Sequence, residues 1–158
     1  CIDLLQVPTF RGIFMLDELP NKINPVEWGI VNIIPGEKFD LHWICYAKIF
    51  NKSRICFDSF CGETPSELQK YLKTYQEFSN CTPVIERNCV QDQQKETSMT
   101  GHLCLFVLTS LMREHFTFQQ VVDQFLCLII FHIPYGKEHE KIHVHLFHKL
   151  YLSGLIYQ

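Results

Sequence analysis

The chain has 158 residues, a net charge of −3, and 47% hydrophobic against 20% charged residues. That length suits one domain with a real core, and that balance argues against disorder and against a globally basic nucleic-acid binder. The longest apolar run, Phe125 to Ile133, is core-sized and interrupted by His132, so no segment reads as a membrane span.

Residues 9 to 20 (TFRGIFMLDELP) are apolar and stop at Pro20, which predicts a short strand or turn-bounded segment. Trp28 to Ile34 (WGIVNII) is rich in β-branched residues and reads as a strand ended by Pro35-Gly36. Phe39 to Phe50 is a second strand, Asn51-Lys52-Ser53 a polar turn, and Arg54 to Phe60 a returning strand, together an antiparallel pair. Thr64 with Glu67 forms a capping-box pattern, and Pro65 suits a first helical position. Leu68, Tyr71, Leu72 and Tyr75 then supply one apolar helix face. Asn80 to Met99 is polar and reads mostly as loop. A buried helix is predicted over Gly101 to His115, and Thr117 with Gln120 caps another running to about Ile130. The predicted fold is α+β, an antiparallel sheet with a segregated helical layer, over a core at 9–130. A tail at 131–158 follows.

Eight cysteines lie mostly inside apolar runs such as Trp-Ile-Cys-Tyr, where a free thiol behaves as a small buried hydrophobe. Asp3 and Arg11 break any signal-peptide pattern at the start, so a reducing intracellular compartment, cytoplasm or nucleus, is the expectation. No CxxC pair occurs, and His139, His143, His145 and His148 lack an acidic or cysteine partner at fixed spacing. No metal and no cofactor is therefore expected.

Candidate chemistry follows one order along the chain. His42-Trp43 lies on a strand, Asp58 on the next, then come Gln91, Gln93 and Gln94, then the helix led by Gly101. A carboxylate beside an imidazole holds its tautomer and leaves the other ring nitrogen to face a nucleophile. A side-chain amide serves an oxyanion, and a helix start stabilises a thiolate. A lone strand histidine is also commonly a packed core group, Asp58 can cap a turn, and the glutamines can be solvated. On the residues alone both readings stand.

The segments HWICYAK, ICFDSF and TGHLCLFVL, in that order, resemble the adenain-like and SUMO-protease-like cysteine peptidases, closest to those of adintoviruses and Maverick/Polinton transposons. FRGIFMLDELP, WGIVNI and FTFQQVVDQF fit the same group, so the resemblance covers about 9–126. It implies an adenain-like, papain-like fold and an endopeptidase that processes viral or transposon precursor proteins. It matches His42 to the general base, Asp58 to its orienting carboxylate and Trp43 to the neighbouring aromatic. For the oxyanion glutamine, spacing favours Gln93 or Gln94 and the local Val-Gln-Asp context favours Gln91; Gln93 is preferred. The family's Cys-Gly-His-Leu-Cys stands here as Thr100-Gly101-His102-Leu103-Cys104, so threonine occupies the nucleophile position. An internal threonine has no α-amine to serve as base, and its methyl group restricts χ1, which implies impaired hydrolysis. The expected partner is a polypeptide substrate or a ubiquitin-like protein, bound by a monomer, with nucleic acid disfavoured by charge.

Overall fold

The computed structural model describes residues 9–33, 42–49, 53–74, 84–88, 100–112 and 117–123. The strands are β1 (Phe10–Met15), β2 (Glu27–Asn32), β3 (Trp43–Ile49), β4 (Ser53–Phe57) and β5 (Ile85–Arg87). The helices are α1 (Ser66–Leu72) and α2 (Thr100–Met112), with a 3-10 turn at Leu16–Glu18 and a further helical stretch at 118–123. The five strands form one sheet in the order β1-β2-β3-β4-β5.

The predicted hairpin is present: β3 and β4 pair antiparallel, with Cys45 opposite Phe57 and Ile49 opposite Ser53. β2 also pairs antiparallel with β3, setting Asn32 opposite Trp43. The two edge pairs differ from expectation, since β1 runs parallel to β2 and β5 parallel to β4. The sheet is therefore mixed, not antiparallel. Parallel neighbours need a crossover, and β5 lies in the segment read as loop. Its three residues, Ile-Glu-Arg, are half-buried or exposed at the sheet edge and too few to show alternation.

Every residue of β2 is buried, as are the five central residues of β3. The reason is cover on both faces. Leu68, Tyr71 and Leu72 of α1 join Val31, Ile44, Tyr46 and Cys56 in one apolar cluster. Side chains alternate across a strand, so Trp43 and Cys45 face the other way. There α2 packs on β3: a Cβ on Gly101 would touch the Trp43 ring, and the Cys104 thiol lies beside that of Cys45. The helices thus cover opposite faces rather than one layer.

Helix starts were legible unequally. The box at Thr117 forms, Gln120 Oε1 accepting from Thr117 N–H at 2.8 Å and Thr117 Oγ1 accepting from Gln120 N–H at 3.3 Å. The box at Thr64 does not form. Pro65 is the N-cap of α1 without a side-chain cap, and Glu67 instead accepts from the Ser66 hydroxyl at 2.9 Å. Thr64 is buried, and its carbonyl accepts from the Gln69 amide at 2.7 Å. Tyr75 and the tail at 131–158 lie outside the described residues. No helix among the described residues is long and apolar enough to cross a membrane.

Candidate active site

Strand directions bring several chain segments to one end of the sheet. β2 ends at Asn32, β3 begins at Trp43, β4 ends at Phe57 and β5 ends at Arg87. The residues just past these ends are His42, Asp58 and Asn88. His42 is anchored through its carbonyl, which accepts from Ile33 N–H at 3.0 Å and extends the β2–β3 ladder by one bond. His42 and Asp58 therefore stand one position outside their strands, where side chains escape the alternation of the sheet.

The imidazole Nε2 of His42 lies 2.9 Å from Asp58 Oδ1. The ring stacks on Phe60, with centroids 4.7 Å apart and planes at 18°. Phe60 belongs to a tight turn that folds back over the carboxylate. Phe60 N–H donates to Asp58 Oδ1 at 2.8 Å, Gly62 N–H donates to Oδ2 at 3.1 Å, and Cys61 N–H donates to the Asp58 carbonyl at 2.8 Å. Cys61 adopts φ 57°, a left-handed conformation that costs a non-glycine residue energy. Gly62 is needed for the close approach, because a Cβ there would lie 2.6 Å from Asp58 Oδ2.

Burial opposes the charge on Asp58. The hydrogen bond from His42, the Phe60 N–H, the His42 charge and the Gly62 N–H outweigh that cost, and the carboxyl titrates below its ordinary value. An ionised carboxylate on Nε2 makes that nitrogen the donor. Nδ1, the other ring nitrogen, is buried and has no hydrogen-bond partner among the described residues. A buried imidazole with one nitrogen fixed on a carboxylate and the other without a partner holds one hydrogen-bonding position unused.

Thr100 opens α2 and is buried. Its Oγ1 accepts from Trp43 N–H at 3.1 Å, while the Cys104 thiol, one turn on, donates to the Trp43 carbonyl at 3.4 Å. The first two turns of α2 thus grip the backbone of the residue next to His42. Thr100 is brought to Trp43, the residue next to His42, but the hydroxyl–imidazole bond that marks a nucleophile with its base is not formed. Cys104 faces inward to the sheet and is fully buried, which removes it as a substitute nucleophile. Burial also pushes the Cys56 thiol up to about 12, so it is inert at neutral pH.

Trp43 is half-buried and lies over the helix start; a Cβ at Gly101 would meet its Cδ1 at 3.5 Å, an ordinary contact distance. Gln91, Gln93 and Gln94 lie outside the described residues. A cavity lined by Met15, Leu16, Asp17, Asn32 and Glu67 sits at the same end of the sheet, yet none of its lining residues is His42, Asp58 or Thr100. Among the described residues no group of His, Cys, Asp or Glu is arranged to hold a metal. Sequence reasoning missed Phe60, Gly62 and Asn88. Phe60 was reachable, since an aspartate commonly accepts from the backbone N–H two residues on. Set against protein-family models and against curated proteins, the chain matches none.

Proposed function

We propose that this chain is an adenain-like cysteine endopeptidase homologue, of the kind that processes viral or transposon precursor proteins, in which Thr100 impairs hydrolysis. The observation that carries the reading is the His42–Asp58 pair, 2.9 Å apart, with Nδ1 unpartnered and the first turn of α2 bonded to the neighbouring Trp43. That pair is what a thiol nucleophile needs: a base oriented by a carboxylate, with a helix start stabilising the thiolate. A threonine hydroxyl stays protonated at neutral pH, and here it is turned onto Trp43 N–H. The oxyanion donor in this reading is Gln93, with Gln91 and Gln94 as alternatives. Trp43 and Gly101 flank the bound peptide.

A fluorogenic peptide with small residues at the cleavage point, tested on this chain and on Thr100→Cys, decides the matter. The variant is expected to hydrolyse it at least about 10³-fold faster than the parent, because loss of a nucleophile costs enzymes that much or more. Adding His42→Ala should abolish the gain. A folded Thr100→Cys protein no faster than the parent would falsify the inherited thiol-protease site.

A second reading follows from the same hydroxyl. With Thr100 bonded to Trp43 and Nδ1 open, the site keeps a hydrogen-bond acceptor while lacking a thiolate. It then binds a peptide or a ubiquitin-like tail without cutting it. Capture of ubiquitin-like proteins on the immobilised chain supports this role, and no enrichment removes it.

A further inference from the structure

Asp58 is held from a side that no motif touches. β5 runs parallel to β4, and its last paired residue, Arg87, stands opposite Cys56. One step beyond, the side-chain amide of Asn88 continues the ladder in place of backbone. Its Oδ1 accepts from Asp58 N–H at 3.0 Å, and its Nδ2 donates to the Asp58 carbonyl at 2.6 Å. The Asn88 carbonyl also receives the Cys61 thiol at 3.3 Å, which ties down the far side of the Asp58 turn. Asn88 is 3% exposed, so these bonds are made where water cannot replace them.

The residue type fits the task. An amide carries a donor and an acceptor side by side with no net charge, and the asparagine stem is short enough to sit against one peptide unit. Aspartate would lose the donor and set a second negative charge beside Asp58. Alanine would leave a buried N–H and a buried carbonyl without this partner. With its main chain held by Asn88, Asp58 has its carboxylate confined by the Phe60 and Gly62 N–H groups and by the imidazole.

We infer that Asn88 is a positioning residue of this site: by clamping the main chain of Asp58 it keeps the carboxylate in register with His42 Nε2. The inference rests on reading His42 and Asp58 as a base and its orienting acid. Asn88 acts through Asp58 and is not itself a catalytic group.

The test uses the full chain with labelled histidine, read by NMR. A buried imidazole N–H bonded to a carboxylate exchanges slowly and resonates at low field; the His42 signal is identified by its loss in His42→Ala. Asn88→Ala should move that resonance upfield or abolish it while the protein still unfolds cooperatively. In the Thr100→Cys background, Asn88→Ala should lower kcat about 10- to 100-fold with little change in KM, as misplacement by up to about 1 Å does. An unmoved resonance in folded Asn88→Ala protein overturns the inference. Should that variant not fold, Asn88→Ser, which shortens the side chain and adds no charge, decides: a shifted or lost signal supports the clamp and an unchanged one overturns it. If the resonance responds while Thr100→Cys is inert, the clamp stands and the hydrolytic reading fails. If Thr100→Cys hydrolyses peptide and Asn88 variants leave both kcat and the resonance unchanged, the clamp alone fails.

Discussion

Asp58 concentrates the chemistry of this protein into one carboxylate. Buried and yet ionised, it depends on donors from three directions: His42 Nε2, Phe60 N–H and Gly62 N–H. Its folded pKa is depressed relative to an unfolded aspartate near about 3.9. Stability from this group is therefore fully present above the unfolded value and is lost as pH falls through the lower folded value. Asp58→Asn removes the charge and with it that dependence. Urea midpoints measured from neutral pH down to pH 3 should fall less steeply for Asp58→Asn than for the parent; parallel curves would show that Asp58 titrates normally. Much of this residue-level picture was legible beforehand. His42 and Asp58 were named from their order and neighbours and stand in contact, while Thr100, named with them, bonds the residue next to His42. Asn88 was not legible, because its role depends on β5 lying parallel to β4, and nothing in a polar stretch of glutamate, arginine and asparagine announces that pairing. The Thr100 hydroxyl accepts from the N–H of Trp43, and Nδ1 of the imidazole receives no bond from it.

At the scale of elements, long apolar patterns survived, and capping signals survived unequally. The β3–β4 hairpin was readable because two β-branched runs flank a polar turn. α2 was readable from the unbroken apolar run Leu103 to Leu108, and nine of its residues, from Thr100 to Leu111, are buried. The capping box at Thr64 failed because Pro65 holds an extended conformation, φ −55° and ψ 145°, which delays the helix by one residue and carries Glu67 out of reach. What docks α1 is also hidden from pattern reading. Glu27, fully buried in β2, accepts from the hydroxyls of Tyr46 on β3 and Tyr71 on α1, and from Asn24 N–H at 2.7 Å. Gly29 makes room, since a Cβ there would lie 2.5 Å from the Tyr46 ring. Burial, with the Glu27 charge adding to it, pushes the phenol of Tyr46 well above its ordinary value, so it remains a donor at any physiological pH. Tyr71→Phe deletes one donor to a buried carboxylate without changing shape. It should destabilise the protein by about 1–3 kcal/mol, read from urea unfolding, with α1 released first in hydrogen exchange. A cost near zero would mean that apolar contacts alone seat the helix.

For the molecule as a whole, the mixed sheet explains why a site forms at one end and not the other. β1 and β2 run together toward Met15 and Asn32, and β3 starts from that same end at Trp43. β4 returns to it at Phe57, β5 reaches it at Arg87, and α2 begins against Trp43. The opposite end gathers the other strand termini, Phe10, Glu27, Ile49, Ser53 and Ile85, none of them a histidine. The two tryptophans mark this polarity. Trp28 pairs with Ala47, four residues along β3 from Trp43, a separation of about 13 Å at the usual strand rise. Trp28 is buried, and its indole N–H donates to Thr9 Oγ1 at 2.8 Å. Trp43 is half-buried beside His42. A peptide that occupies the proposed site must change the surroundings of Trp43 and leave those of Trp28 as they are. Titrating the assay peptide into Trp28→Phe should therefore give the full change in tryptophan fluorescence, and titrating it into Trp43→Phe should give none, with calorimetry confirming that both variants bind. An equal response from Trp28 alone would place the ligand elsewhere on the sheet and separate it from the His42–Asp58 pair.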